Sequence, residues 1–224
     1  MADPNLTNFT NLSIPSIFVM MTVLSLIPLF VVTMTGFLKI SVVLFLIRNA
    51  LGVQQTPPNM VLYGIALILT VFVASPLLGA IYARLNAHPV DFSSVEGITA
   101  AANEVKDPVR AELMRFAHPE ERQFFMAATQ RVWPPEARAS LRDDDMVILL
   151  PAYVSSELTR AFEIGFLLYL PFLVIDIVVS NVLMAMGMIM VSPTLISVPL
   201  KVFLFVAVNG WSRLMHGLIL SYGG

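Results

Sequence analysis

The 224-residue chain is 57% hydrophobic and only 12% charged, with a mean hydropathy of +0.81, far from the roughly 25% charged residues of a soluble domain, which makes it a membrane-type chain. Its formal net charge of −2, with no long basic or acidic run, removes any electrostatic case for a nucleic-acid partner. It has no cysteine, which excludes disulfides, thiolate catalysis and Cys-ligated metals.

Residues 1–13 form a polar N-terminal segment whose one acid and lack of Lys or Arg argue against a cleaved signal peptide. The sequons at Asn5, Asn8 and Asn11 are short matches in Asn/Thr-rich sequence and carry little weight. A first apolar helical region is expected over 14–83. Its opening run, Ile14 to Ile47, is too long for one straight span of about 20 residues. Pro28 lacks an N–H and would kink a helix, and Gly36 with Lys39 interrupts the run again, so a bent or broken helix is expected. A polar turn follows over 48–59, carrying Arg48, Asn49, Gln54 and Gln55. Gly52 permits a left-handed helix end there, and Pro57-Pro58 blocks immediate continuation. Such a turn is a capped connection, and its amides and Arg48 could also line a subunit interface or a channel mouth. Met60 to Ala83 is about one span long.

Composition changes over 84–145, which holds most of the charges and is expected to be a water-facing helical subdomain. Val105 to Phe116 and Pro119 to Val132 carry apolar residues at helical spacing with charges on the other face. Pro119, Glu120 and Glu121 suit a helix start, and Trp133-Pro134-Pro135 suits its end. Asp143, Asp144 and Asp145 cannot all face one point on a helix, so they read as a helix start before the run at Met146 in preference to a cation site.

The last stretch, 146–224, is a second apolar helical region, with runs from Ile164 to Met190 and from Leu195 to Leu220. Charges embedded in apolar sequence are costly unless paired. Glu157, Arg160 and Glu163, three apart, can form one ladder of charges on a helix. Lys201 stands alone in VPLKVFLFVAV and needs a counter-charge from Glu157 or Asp176. In a Met-rich loop, 184–193, Met184, Met186, Met188 and Met190 recur every second residue. A helix would throw them to opposite faces, an extended segment would aim them one way, and Gly187 would ease a departure from helix. They could fill a helix core, or line a pore that closes when empty and re-packs around varied polypeptide.

No catalytic machinery is visible. His88, His118 and His216 are far apart, and no G-x-S-x-G, H-E-x-x-H or Walker-type string occurs. No cofactor and no metal is expected.

The strings LIRNALGVQQTPP (Leu46 to Pro58) and PAYVSSELTRAFEIGF (Pro151 to Phe166) resemble the two signature motifs of the FliP/SctR (also YscR) family, the export-gate subunits of bacterial type III secretion. The resemblance runs from about Leu24 to the closing SYGG, and that ending together with MVSP at Met190 to Pro193 is closer to the injectisome branch than to the flagellar one. It implies an all-α, helical-hairpin membrane protein in the bacterial inner membrane, with 84–145 on the periplasmic side. It implies a homo-oligomeric ring, a pentamer, assembled with SctS/FliQ-like, SctT/FliR-like and SctU/FlhB-like subunits, through which unfolded polypeptides are exported. By the same resemblance Glu157 and Lys201 pair in the assembled gate. Met186, Met188, Ile189 and Met190 would form a pore gasket, Ile189 standing where the family's run of three methionines has its middle member. A flagellar export gate, a proton- or ion-coupled carrier using Glu157, Glu163, Asp176 and Lys201, and a membrane enzyme are the alternatives, the last with Asp176 as its only aspartate inside a span.

Overall fold

The computed structural model describes residues 14–88 and 94–223, and every regular element among them is helical, as expected. In chain order these are α1 (Ile14–Met34), α2 (Phe37–Leu51), α3 (Asn59–Ala87), α4 (Val95–Phe116), α5 (Pro119–Val132), α6 (Pro135–Arg138), α7 (Met146–Ala185), α8 (Thr194–Ala207) and α9 (Gly210–Leu220). The sequons lie outside the described residues.

The opening apolar run is broken as Pro28 and Gly36 dictate. The axis turns by 42° between Ile17–Leu26 and Pro28–Met34, and α1 stops before α2 begins. Two helices, α3 and α7, are long and apolar enough to cross a membrane, and up to four spans result if each bent pair counts as one. The apolar run expected from Ile164 to Met190 is the later part of one helix, α7, which begins at Met146, directly after the three aspartates, and ends at Ala185. At about 1.5 Å per residue its 40 residues reach about 60 Å, twice a hydrocarbon core. It runs unbroken through the polar string because Ser156, Glu157 and Arg160 find partners on or beside the helix. The run from Leu195 to Leu220 is likewise not straight: α8 and α9 meet at 63°, where Asn209 takes a left-handed conformation (φ 54°) that asparagine tolerates.

The chain forms two compact units. One holds α1, α3 from Ala74, α4, α5, α6 and α7 as far as Ser156; the other holds Gly36–Val73 and the chain from Glu157. In the first unit α1 packs on α4, and Leu113, Ile148, Leu149 and Ala152 are sealed from solvent. Its polar helices are laced by ion pairs: Arg84–Asp107 (3.5 Å), Arg122–Asp143 (3.5 Å) and Arg142–Asp144 (3.0 Å). The helix-start reading of the three aspartates holds with a refinement. Asp145 supplies its backbone carbonyl to the Ile148 and Leu149 N–H groups, while its carboxylate turns back to accept from Arg142 N. His118 precedes Pro119 at the start of α5, and its N–H donates to Ser156 Oγ at 2.9 Å.

In the second unit Ile40, Val43, Leu44 and Ile47 recur at helical spacing on α2, all at most 1% exposed. Leu62 and Ala66 of α3 and Leu218 of α9 are sealed to the same degree. Phe205 meets Phe172 and, edge-on at 5.3 Å, Trp211. Much apolar surface remains open on this unit, including Met60, Phe72, Phe166 and Phe203, each at least 62% exposed. Patches of that extent mark surfaces that lipid or protein covers.

Candidate functional site

Every candidate residue of the sequence reading lies in the second unit. Glu157, one of two sealed charges at its centre, has no solvent exposure, and neither has Lys39 of α2. Lys39 Nζ lies 3.4 Å from Glu157 Oε1, and Arg160 Nη1, one helical turn on, lies 3.5 Å from the same oxygen. The other oxygen, Oε2, accepts from the Tyr222 hydroxyl at 2.6 Å. The Gly36 carbonyl is a second acceptor for that hydroxyl at 3.2 Å. The Lys39 ammonium also sits 3.5 Å over the centre of the Tyr222 ring, within cation–π range. Three donors thus satisfy one buried carboxylate, the condition under which a buried charge is tolerated. Lys39 lies on α2, outside the candidate spans, and burial pushes its ammonium below its usual pKa while attraction to Glu157 pulls it back up.

Gly36 makes this cluster possible by its size. A Cβ there would stand 2.6 Å from the Tyr222 hydroxyl oxygen, so the ring packs directly on the backbone at the break between α1 and α2.

Lys201, 4% exposed, donates to Asp176 on α7 and, at 3.1 Å, to the Ala50 carbonyl near the end of α2. Within one chain the structure therefore gives Glu157 and Lys201 different partners, Lys39 and Asp176. Of the two counter-charges the sequence allowed for Lys201, geometry selects Asp176. Of the ladder expected on α7, the Glu157–Arg160 step is formed, and Glu163 is exposed, with no cation beside it among the described residues.

The polar turn is built as its residue types require. Gly52 takes the left-handed conformation (φ 73°) and donates to Asn49 O, closing α2. Arg48 Nη1 donates to Pro57 O at 3.2 Å and to Asn59 Oδ1, tying both ends of the turn. Asn49, Gln54 and Gln55 are exposed.

The Met-rich segment is neither a helix nor an extended strand. It is a turn set by the end of α7: Gly187 takes φ 75°, its N–H donates to Met184 O, and the Met188 N–H reaches back to Leu183 O. That pair of bonds is the Schellman helix ending. From it project Met186 (67% exposed), Met188 (43%), Ile189 (86%) and Met190 (101%). None of these four is buried among the described residues.

Among the described residues no group of three or more His, Asp or Glu could hold a metal ion. An open groove of about 320 Å³ runs along α5, lined by Arg122, Gln123 and Met126 among others, and its one acid, Asp143, is the ion-pair partner of Arg122. Lys39, Asp176 and Tyr222 were not singled out by sequence as one network. The signal for the first two was a charge inside an apolar run, whereas Tyr222 carried none.

Residues 20–218 match the FliP family. The chain is 56% identical over 199 residues to a probable translocation protein, y4yL, of Sinorhizobium fredii, covering 89% of this chain and 90% of that one. It is 48% identical over 209 residues to the Yop proteins translocation protein R of Yersinia pestis (93% and 96% covered). It is 43% identical over 216 residues to the hypersensitivity response secretion protein HrcR of Ralstonia nicotianae (95% and 99% covered). A match over most of the length, with signature strings that fold into the turn and the buried cluster, leaves one conclusion: the chain belongs to the FliP family, in the company of the type III secretion subunits YscR and HrcR.

Proposed function

We propose that this chain is the ring-forming subunit of a type III export gate, and that Met186, Met188, Ile189 and Met190 of each copy close the path of the exported polypeptide. The observation that carries this reading is the turn after α7. Four large apolar side chains, 43 to 101% exposed, are held out from the helix end. Flexible, polarizable methionines brought together from several copies could seal an empty pore and re-pack around varied sequence. Ile189 keeps the apolar surface with a stiffer side chain.

The buried pairs support an assembly role over a proton relay. Glu157 and Asp176 are each engaged by a lysine, which leaves no line of unpaired carboxylates for a carrier to use. The relatives' names, translocation and hypersensitivity-response secretion, support the injectisome branch over the flagellar one. In this reading the ring associates with SctS-, SctT- and SctU-like subunits at the bacterial inner membrane, and the polar helices of 84–145 face the periplasm. The Glu157–Lys201 pairing of the assembled gate is replaced in this proposal by two pairs within each chain, Lys39–Glu157 and Asp176–Lys201.

The test is conductance of purified rings in planar bilayers, compared with particle yield. Met188→Ala with Met190→Ala should raise ion leakage at normal yield. Lost yield with unchanged conductance would place these residues in a packing core and overturn the gasket.

A further inference from the structure

The second unit carries three acids, and two are accounted for: Glu157 meets Lys39, and Asp176 meets Lys201. Glu163 meets no cation among the described residues. It heads a stripe along α7 that continues at helical spacing through Phe166, Leu167, Leu170 and Val174, exposed by 62, 65, 37 and 57%. A carboxylate at the head of an uncovered apolar stripe is best covered by protein that brings a positive charge.

The same unit supplies that charge once. Of its cations, Lys39 and Arg160 meet Glu157, Lys201 meets Asp176, and Arg48 is held by Pro57 O and Asn59. Arg213 on α9 is left, exposed and without an acceptor among the described residues. It too heads an open face, with Gly217 one turn on and Leu220 (74% exposed) beyond. A Cβ added at Gly217 would meet nothing within 4 Å, so this face is flat enough for another helix to approach closely.

We propose that Glu163 of one chain pairs with Arg213 of the next copy, so that the exposed stripe of α7 is the docking surface for α9 of a second copy. One unsatisfied acid and one unsatisfied base at different positions are what a head-to-tail contact requires. Repeated around a closed ring, it leaves no Glu163 and no Arg213 over, whatever the copy number. The inference rests on the ring reading above and adds the contact that builds the ring.

The native chain has no cysteine, which makes the test specific. Two differently tagged full-length chains, one Glu163→Cys and one Arg213→Cys, are co-expressed and oxidised in the membrane. A band of twice the chain mass carrying both tags is expected, and none when both chains carry Glu163→Cys. Charge reversal gives an independent reading. Glu163→Arg and Arg213→Glu should each lower ring yield about tenfold or more by setting like charges face to face, and the double reversal should recover it. Rings of normal mass with no two-tag band would overturn the pairing and leave the ring standing. A double reversal no better than the single ones would overturn it too, and would point to another subunit or a lipid headgroup as the partner of Arg213. A wild-type particle of single-chain mass would overturn the ring reading and the contact with it.

Discussion

Arg84–Asp107 and Lys39–Glu157 are ion pairs of nearly the same length, 3.5 and 3.4 Å, with opposite surroundings. The first, in the unit of the polar helices, has side chains 46 and 60% exposed; the second, in the unit that holds the Met-rich turn, has side chains 1 and 0% exposed. Water screens the former and supplies its groups with other partners, so its removal changes little. The latter has no water to fall back on. Distance alone therefore says nothing about what a pair is worth, and the protein uses one chemistry for solvation in one unit and for specifying a unique packing in the other.

The largest effect is expected at Glu157. Glu157→Ala leaves Lys39 sealed without its counter-charge and removes one of the two acceptors of the Tyr222 hydroxyl; a loss of about 3–5 kcal/mol is expected. It should be read as loss of folded particle in detergent, and a variant as stable as wild type would refute the account of the cluster. Lys201→Ala comes next. Its partner Asp176 is 35% exposed and can recover some solvent, so about 1–3 kcal/mol is expected, measured by thermal denaturation of the particle. Tyr222→Phe keeps the ring over Lys39 and deletes only the hydroxyl. The Glu157 oxygen then lacks one of its donors, and a loss of about 1–2 kcal/mol should follow, with Tyr222→Ala clearly worse. Gly187→Ala should cost about 1–2 kcal/mol through backbone strain alone, since a Cβ there meets nothing within 4 Å. The smallest effect belongs to Arg84→Ala, within about 1 kcal/mol, and shrinking further in high salt. A cost there equal to that at Glu157 would abolish the distinction between the two units.

Local physics made much of this legible in advance. Pro28 and Gly36 announced the break in the first apolar run, Gly52 the left-handed end of α2, and Trp133-Pro134-Pro135 the end of α5. Lys201 announced that it needed an acid, and within one chain it meets Asp176, one of the two candidates. What could not be read was which of two equivalent acids a lysine meets, because that depends on the packing of α2, α7 and α8 and not on spacing along one helix. Tyr222 was hidden for a similar reason: its hydroxyl meets Glu157, 65 residues away, and Gly36, 186 away. The continuity of α7 escaped because a polar string looks like a boundary until its partners are known.

The turn after α7 is held by main-chain hydrogen bonds from Gly187 and Met188, while Met186, Ile189 and Met190 are at least 67% exposed. Scaffold and tip are therefore separable for an engineer. Photo-reactive or heavy-atom analogues of methionine, or leucine and phenylalanine in its place, can be installed at 186, 188, 189 and 190 without refolding the helix end that presents them. The tip becomes an interchangeable probe, able to report what passes it while the rest of the molecule stays unaltered.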